Sequence, residues 1–401
     1  MDLRFTDAEL AFRQSLRSWL AATLPTLSDP PAGEDWAARR AYDAAWQRLL
    51  FDAGYAGVDW PAAHGGRGAS PTEQLIFLEE SARMRAPGVG AGFVGLLHAG
   101  PTLIVEGTEA QRARHLPRIL RGEEVWCQGF SEPDAGSDLA SLRTAAVRDG
   151  DTYVVNGRKV WTSYAQVADY CELLVRTDPG AAPHRGISWL ILPMDTPGVQ
   201  VRPLRNAAGG IEFAELILDD VRVPAGQLVG AENDGWRVAM VTFSFERGTA
   251  FIADVVESRN LLAEIARVAR TAPGPGGRPL WDDPGLRRDV GRLTAEVIGL
   301  WSLIRKNVSE ASAGTIPVQG ASVFKLRFTE NRQRIGDLAA RVLGRAALAL
   351  SPLPGRDNAR AAEDRLTTLA FTIAAGTSQI QRNILAERAL GLPKEPRWTS
   401  P

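Results

Sequence analysis

Between Glu124 and Gly230 the chain stops reading as helix and reads instead as short strands, with helical sequence on both sides. That order of α, β and α again constrains the fold more than any other feature and predicts an α+β protein. Within the strand-rich stretch, Asp149-Gly150 and Asn156-Gly157 are tight-turn pairs flanked by strand-forming residues. Tyr153-Val154-Val155 lies between them and Lys159-Val160-Trp161 follows. Further runs span 171–175, 187–192 and 213–218, punctuated by prolines at 193, 197, 203 and 224. The spacing predicts short antiparallel strands in a small barrel or sandwich.

The flanking regions carry helix signals. Thr6 and Glu9 have capping-box spacing, with Phe5 and Leu10 placed to staple across it. Phe12, Leu16, Trp19 and Leu20 then share one face until Pro25. Ser70-Pro71-Thr72-Glu73 and Thr108-Glu109-Ala110-Gln111 open two more helices. After the strands, Val238, Val241, Phe245, Ile252, Val255 and Leu262 form a helical stripe from Asp234-Gly235 to about Arg270. A Pro/Gly-rich loop, 272–279, precedes helical stretches at roughly 284–313, 319–350 and 359–390. Four long antiparallel helices suggest a bundle. The expected domains are 1–122, all-α; 123–230, β; and 231–401, an α-helical bundle.

Composition narrows the function classes. A length of 401 residues suits two or three domains, and 45% hydrophobic with 23% charged residues is a globular balance. A formal net charge of −1 leaves no electrostatic footprint for nucleic acid or an anionic membrane. Cys127 and Cys171 are the only cysteines, which implies no disulfide framework, and neither has a second cysteine at metal-ligand spacing. No run of about 18 apolar residues occurs, and the first residues lack a targeting pattern, so a cytoplasmic protein without a membrane span is expected.

Four segments could carry chemistry. In 128–138, Gln-Gly-Phe-Ser-Glu-Pro-Asp-Ala-Gly-Ser-Asp follows a predicted strand and could present backbone N–H groups and hydroxyls to a planar ring, or be a polar surface loop. Trp161-Thr162-Ser163 could stack on a ring and bond its edge, although a strand tryptophan is more often core. In 374–383, Gly376 interrupts a helical run and Thr377 can cap the next helix, a setting that suits a nucleotide edge or a plain kink. Glu246, in Phe243-Ser244-Phe245-Glu246-Arg247-Gly248, could be a base with a raised pKa or half of an exposed Glu–Arg pair.

Together these segments resemble the acyl-CoA dehydrogenase family, from Phe5 to Pro393. Ser131-Glu132-Pro133-Asp134-Ala135-Gly136-Ser137-Asp138 resembles its (S/T)EPxAGSD signature, Asn156 to Ser163 its NGxKxWxT segment, and Gly376 to Asn383 its GTSxIQRN segment. The resemblance implies an N-terminal α domain, a barrel-like β domain and a C-terminal four-helix bundle. It also implies FAD as cofactor, an acyl-CoA substrate and no metal. An electron-transfer flavoprotein or another acceptor would take the electrons in lipid metabolism. A homodimer or dimer of dimers is expected, with a hetero-oligomer possible. Carried over, Gln128, Phe130 and Ser131 would contact the flavin ring, Trp161 and Ser163 would lie against its other parts with Thr162 alongside, Thr377 and Gln379 would reach toward the far end of the FAD, and Arg270 would stand where the family's Arg touches the neighbouring subunit's FAD. Ser137 and Arg247 would lie on the CoA side.

The reaction needs a carboxylate to take the α-proton. Many family members carry it directly before the Gly-Thr of the last motif, where this chain has Ala375. A second subset carries it before an Arg on the first bundle helix, and Glu246-Arg247 matches that pattern. Two departures bear on cross-subunit FAD contacts. Arg270-Thr271-Ala272-Pro273-Gly274 keeps only Arg and Gly of an Arg-x-x-Phe-Gly segment, and 340–345 lacks the Gln and second Gly of Gln-x-x-Gly-Gly. A non-catalytic subunit that completes a related chain's site and a family-like oxidase are the competing readings. Ala375 speaks against a nitroalkane-oxidising version of the latter.

Overall fold

The structure, a computed structural model, describes residues 4–31, 34–249, 252–314, 320–351, 353 and 361–394, and the backbone alone at 245–249. The chain opens with α1 (Asp7–Thr23), α2 (Trp36–Asp52), α3 (Pro71–Arg83), α4 (Gly100–Glu106) and α5 (Glu109–Leu120). The three capping signals act as read. Thr6 N donates to Glu9 Oε2 at 2.7 Å and Glu9 N to Thr6 Oγ1 at 3.3 Å. Ser70 with Glu73 and Thr108 with Gln111 repeat this reciprocal pair. Phe12, Leu16 and Leu20 are the buried face of α1. Leu10 is exposed, and the Arg13 guanidinium lies 4.3 Å over the Phe5 ring. Sequence reading passed over α2, whose cap is Asp35 accepting from Ala38 N at 3.0 Å, and the π-helical turn Gly95–Ala99 that leads into α4.

The middle of the chain forms β1 (Trp126–Gly129), β2 (Ala145–Asp149), β3 (Thr152–Ser163), β4 (Tyr170–Arg176), β5 (Ile187–Pro193), β6 (Val199–Leu204), β7 (Phe213–Pro224) and β8 (Leu228–Val229). They make one eight-stranded sheet ordered β6-β7-β3-β2-β4-β5-β8, with β1 joined to β4. The strands are not all antiparallel: β1 and β2 both run parallel to β4. Tyr153, Val155, Leu173, Val175, Leu190, Leu216 and Val223 are part of its core.

Asp149-Gly150 is a turn, joining β2 to β3 with Gly150 at φ 60°. Asn156-Gly157 is not. It lies inside β3 as a bulge, where the register against β7 shifts between Val155 and Gly157. The Asn156 amide donates to Asp220 Oδ1 at 3.0 Å and accepts from Asp220 N at 2.9 Å, so it holds the neighbouring strand rather than closing a hairpin. A Cβ on Gly157 would sit 2.7 Å from Thr144 Cα, so close backbone approach is what the glycine permits here.

Helix returns as α6 (Gly235–Thr249), α7 (Ile252–Ala269), α8 (Pro284–Ser312), α9 (Gly320–Leu343), α10 (Ala361–Phe371) and α11 (Ser378–Ile384). The stripe read as helical to Arg270 runs through α6 and α7, with 250–251 and the side chain of Phe245 outside the described residues. Leu286, Val290, Leu293, Val297, Leu300 and Ile304 give α8 one buried stripe, and Phe324, Phe328, Ile335 and Leu338 give α9 its own. These helices pack on each other, on α7 and on α10. Two compact units result. One holds 15–77 and 85–250, including the sheet and α6; the other holds 1–14, 78–84 and the chain from 251 onward. No helix among the described residues is long and apolar enough to cross a membrane.

Gly157→Ala should lower stability by about 1–3 kcal/mol, the usual cost of overpacking, read as a fall in the urea midpoint. Gly226→Ala, with open space around its Cβ position, should be close to neutral.

Candidate functional site

The sheet unit brings the first two motifs together. β1 ends at Gly129, and Phe130 follows with its ring buried edge-on to Phe243 of α6 at 5.8 Å. Ser131 is half-buried, and its carbonyl accepts from Val160 N of β3 at 2.9 Å. Glu132 and Ala135 then close a tight turn by two reciprocal backbone bonds of 2.9 and 3.1 Å. Gly136, Ser137 and Asp138 are exposed beyond it. Further on, Ala140–Arg143 with Arg176, Pro179 and Pro183 line an open cleft of about 360 Å³.

A second bulge, between Lys159 and Thr162, shapes the end of β3. It puts Trp161 at φ 62°, a left-handed backbone uncommon for a bulky residue, and leaves the side chain 58% exposed with its ring edge-on to Phe213. Trp161 is therefore not the core tryptophan that its strand position makes the commoner outcome. Thr162 is fully buried, and its hydroxyl has no hydrogen-bond partner among the described residues. Ser163 is half-buried beside it.

What fastens the two segments is a buried ion pair. Lys159 Nζ donates to Glu132 Oε1 at 2.8 Å and to the Phe130 carbonyl at 3.1 Å. The Glu132 carboxylate also accepts from Arg143 N at 2.7 Å and Thr144 N at 2.8 Å. Burial pushes the Glu132 pKa up, but Lys159 and the backbone donors outweigh it and hold the carboxyl below its ordinary value. Burial pulls the Lys159 ammonium down, with Glu132 opposing. Both residues lie within the signature motifs, which by themselves give neither a role. The available signal was a lone lysine at an inward position of an otherwise apolar strand face.

Gln128 is committed to a buried polar cluster. Its amide nitrogen donates to Glu172 Oε1 of β4 at 2.7 Å and lies 3.1 Å from His98 Nδ1 in the π-helical turn. Glu172 and His98 are both buried. Neither was singled out from the sequence, because three polar residues far apart in the chain form no motif until strands and helix converge.

The other unit holds the remaining positions. Arg270 follows α7, exposed, its guanidinium 4.6 Å over the Trp281 ring. Thr377 caps α11, its hydroxyl accepting from Ile380 N at 3.1 Å, and Gln379 is exposed. Ala375 is in the left-handed region at φ 52°, and its carbonyl accepts from Gln381 Nε2 at 3.0 Å. Arg341, in the altered 340–345 segment, pairs with Asp283 and Asp289. The backbone of α6 carries positions 246 and 247, but the side chains of Glu246 and Arg247 lie outside the described residues.

The residues present fit a planar heteroaromatic cofactor. Trp161 offers an exposed ring, Ser131 and Ser163 are half-buried hydroxyl residues of the same two segments, and the Thr162 hydroxyl has no partner among the described residues.

Known proteins resemble this chain along most of its length. The family models for the N-terminal, middle and C-terminal domains of acyl-CoA dehydrogenases match residues 6–123, 127–221 and 233–390. Acyl-CoA dehydrogenase IpdE1 of Mycobacterium tuberculosis is 41% identical over 397 residues, covering 96% of this chain and 98% of that protein. Acyl-CoA dehydrogenase FadE26 of the same organism is 35% identical, covering 99% and 100%. Among solved structures, the ChsE4-ChsE5 complex of M. tuberculosis matches with TM-score 0.84 at 34% identity, covering 98% of this chain and 100% of that chain. The Tcur3481-Tcur3483 steroid ACAD matches with TM-score 0.83 at 30% identity and the same coverage.

Lys159→Met should destabilise the protein by about 3–5 kcal/mol, because it strands a buried carboxylate; pairing it with Glu132→Gln should recover part of the loss in urea unfolding. The depressed folded pKa of Glu132 makes its contribution present above the ordinary carboxylate range and lost as pH falls through the folded value. Glu132→Gln should accordingly flatten the acid limb of the stability profile.

Proposed function

The chain belongs to the acyl-CoA dehydrogenase family, and from that premise we propose that it oxidises the Cα–Cβ bond of an acyl-CoA thioester, with Glu246 as the base and FAD as cofactor. Members of the family are FAD-dependent flavoproteins. The observation that carries the reading is the exposed Trp161, held in a costly left-handed conformation beside Ser131 by the Glu132–Lys159 pair. A strained, uncovered aromatic on a rigid strand end is suited to stacking against a bound ring system.

In this reading Phe130, Ser131, Trp161, Thr162 and Ser163 hold the flavin, with the hydroxyls bonding its polar edge. Gln128 acts beside them from β1. Arg270, Thr377 and Gln379 hold the far end of FAD, and Ser137 and Arg247 orient the thioester. When bound, FAD supplies the acceptor for the hydride that leaves Cβ. Glu246 takes the α-proton, because the methyl of Ala375 cannot. The electrons pass on to an electron-transfer flavoprotein or another acceptor. The likeness to a structure described as a steroid ACAD leads us to propose a steroid-derived acyl group as the substrate class.

Two structural relatives bear the names of two chains each, and one is described as a complex, which favours a second reading of the assembly. Leu348, Ile373 and Leu390 of the bundle unit are 77%, 66% and 71% exposed. The altered Pro273 and Arg345 positions remove family residues expected at a cross-subunit FAD contact. We propose that a related chain packs against the bundle unit and completes the cofactor site, in place of a homodimer or dimer of dimers. Co-expression with such a chain should raise FAD occupancy over expression alone; full occupancy in a homo-oligomer by light scattering would refute the hetero-oligomer.

Glu246→Gln should keep fold and FAD yet slow flavin reduction by at least ~100-fold, the scale of a lost general base. Ala375→Glu in that background should restore part of the rate, limited by the placement of the new carboxylate. Anaerobic stopped-flow with straight-chain, branched and steroid-derived acyl-CoAs reads both, and an unchanged rate in Glu246→Gln would remove it as the base.

A further inference from the structure

Helix α9 buries a polar stripe beside its apolar one. Ser322, Lys325, Thr329 and Arg332 recur at intervals of three or four residues and are all buried, Lys325 at 4% exposure. Taking a lysine out of water carries a cost that acceptors for its ammonium must offset. Lys325 finds such an acceptor within its own unit: Nζ donates to the Gly376 carbonyl at 2.6 Å. A leucine or methionine would fill the same space between helices with less desolvation, so the bond to Gly376 is what the lysine adds.

What it holds is a closed turn. The Thr372 carbonyl accepts from Ser378 N at 3.0 Å, which closes 372–378 into a loop. Inside it Ala375 and Gly376 are both left-handed, at φ 52° and 83°. That backbone is strained for alanine and persists only where surrounding contacts fix it. Here two buried side chains take consecutive carbonyls: Gln381 Nε2 donates to Ala375 O at 3.0 Å, and Lys325 Nζ to Gly376 O. Two turns further along α9, Gln333 Nε2 donates to Thr368 O at 3.1 Å and to Thr372 Oγ1 at 3.0 Å. Helix α10 and the turn after it are thus pinned to α9 at both ends, by Gln333 and by Lys325.

The chain leaves this turn through Thr377 and Gln379. Thr377 directly follows the carbonyl that Lys325 holds and caps α11 through Ile380 N, and Gln379 stands exposed on the first turn of that helix. We propose that Lys325 is a positioning residue for the cofactor: by holding the Gly376 carbonyl it fixes where Thr377 and Gln379 meet the far end of FAD. The proposal rests on the reading of Thr377 and Gln379 as that far-end contact. It explains why a buried cation, which no signature segment contains, lies on α9 at this level, and how the strain at Ala375 is sustained.

FAD affinity tests it, measured by stripping the cofactor from the assembly in which the protein purifies and titrating it back. Lys325→Met should weaken FAD about tenfold, the low end for losing a hydrogen bond to a charged group. Gln379→Ala alone should weaken it about fivefold. The two losses should not add: Gln379→Ala should cost no more than about twofold in the Lys325→Met background, because Lys325 acts through that contact. Ser131→Ala, on the ring side, should cost the same factor in either background. Hydrogen exchange over 372–381 of the FAD-free protein should quicken in Lys325→Met while exchange over the sheet stays as it was. Wild-type FAD affinity in Lys325→Met, or a loss that adds to that of Gln379→Ala as it does to that of Ser131→Ala, overturns the proposal and leaves the lysine a packing role. If Lys325→Met does not fold, Lys325→Gln, a shorter polar side chain, goes through the same cycle. Wild-type FAD affinity in both Gln379→Ala and Thr377→Val would instead refute the far-end reading, and the proposal with it, an outcome distinct from failure of Lys325 alone.

Discussion

A lysine ammonium without solvent contact, bonded to a carboxylate that also collects two backbone N–H groups, is the joint around which the middle of this protein is organised. Lys159 enters from β3 and Glu132 from the loop after β1. Glu132 then reaches Arg143 N and Thr144 N at the approach to β2, so three segments meet at one carboxyl group. A buried pair of this kind adds modest net stability compared with an apolar substitute, but either member alone is costly. Its consequence is geometric: the loop after β1 that carries Ser131 is fastened to the end of β3 that carries Trp161.

The same economy of bulges recurs along β3. The strand carries two register shifts, at Asn156-Gly157 and before Thr162. The first lets the strand press against Thr144, and Asn156 ties it to Asp220 of β7. The second turns Trp161 outward and Thr162 inward, contrary to simple alternation. Bulges cost ladder bonds and are kept where a side chain must be aimed. One strand thereby carries the core-facing Tyr153 and Val155, the buried cation and the exposed aromatic.

Helix α6 belongs with the sheet, not with the helices that follow it in sequence. Thr242, Phe243 and Arg237 tie it to α4 and to the β1 loop. The backbone of position 246 is therefore carried by the same unit as Ser131 and Trp161. At the other family position, the chain at Ala375 is set by different contacts, a left-handed turn held by Gln381.

The amino-acid sequence by itself determined the local events. Capping boxes at Thr6, Ser70 and Thr108 form because their partners are three residues away, and the stripes of α8 and α9 need only helical periodicity. The three signature segments were legible for the same reason: each is contiguous. Tertiary structure decided what depends on partners distant in the chain. Asn156-Gly157 carries a hairpin signal, yet pairing with β7 absorbed it into a strand as a bulge. Neither the Lys159–Glu132 joint nor the meeting of His98, Gln128 and Glu172 is visible in any local window, because a buried polar group finds its partner only after strands and helices have been brought together.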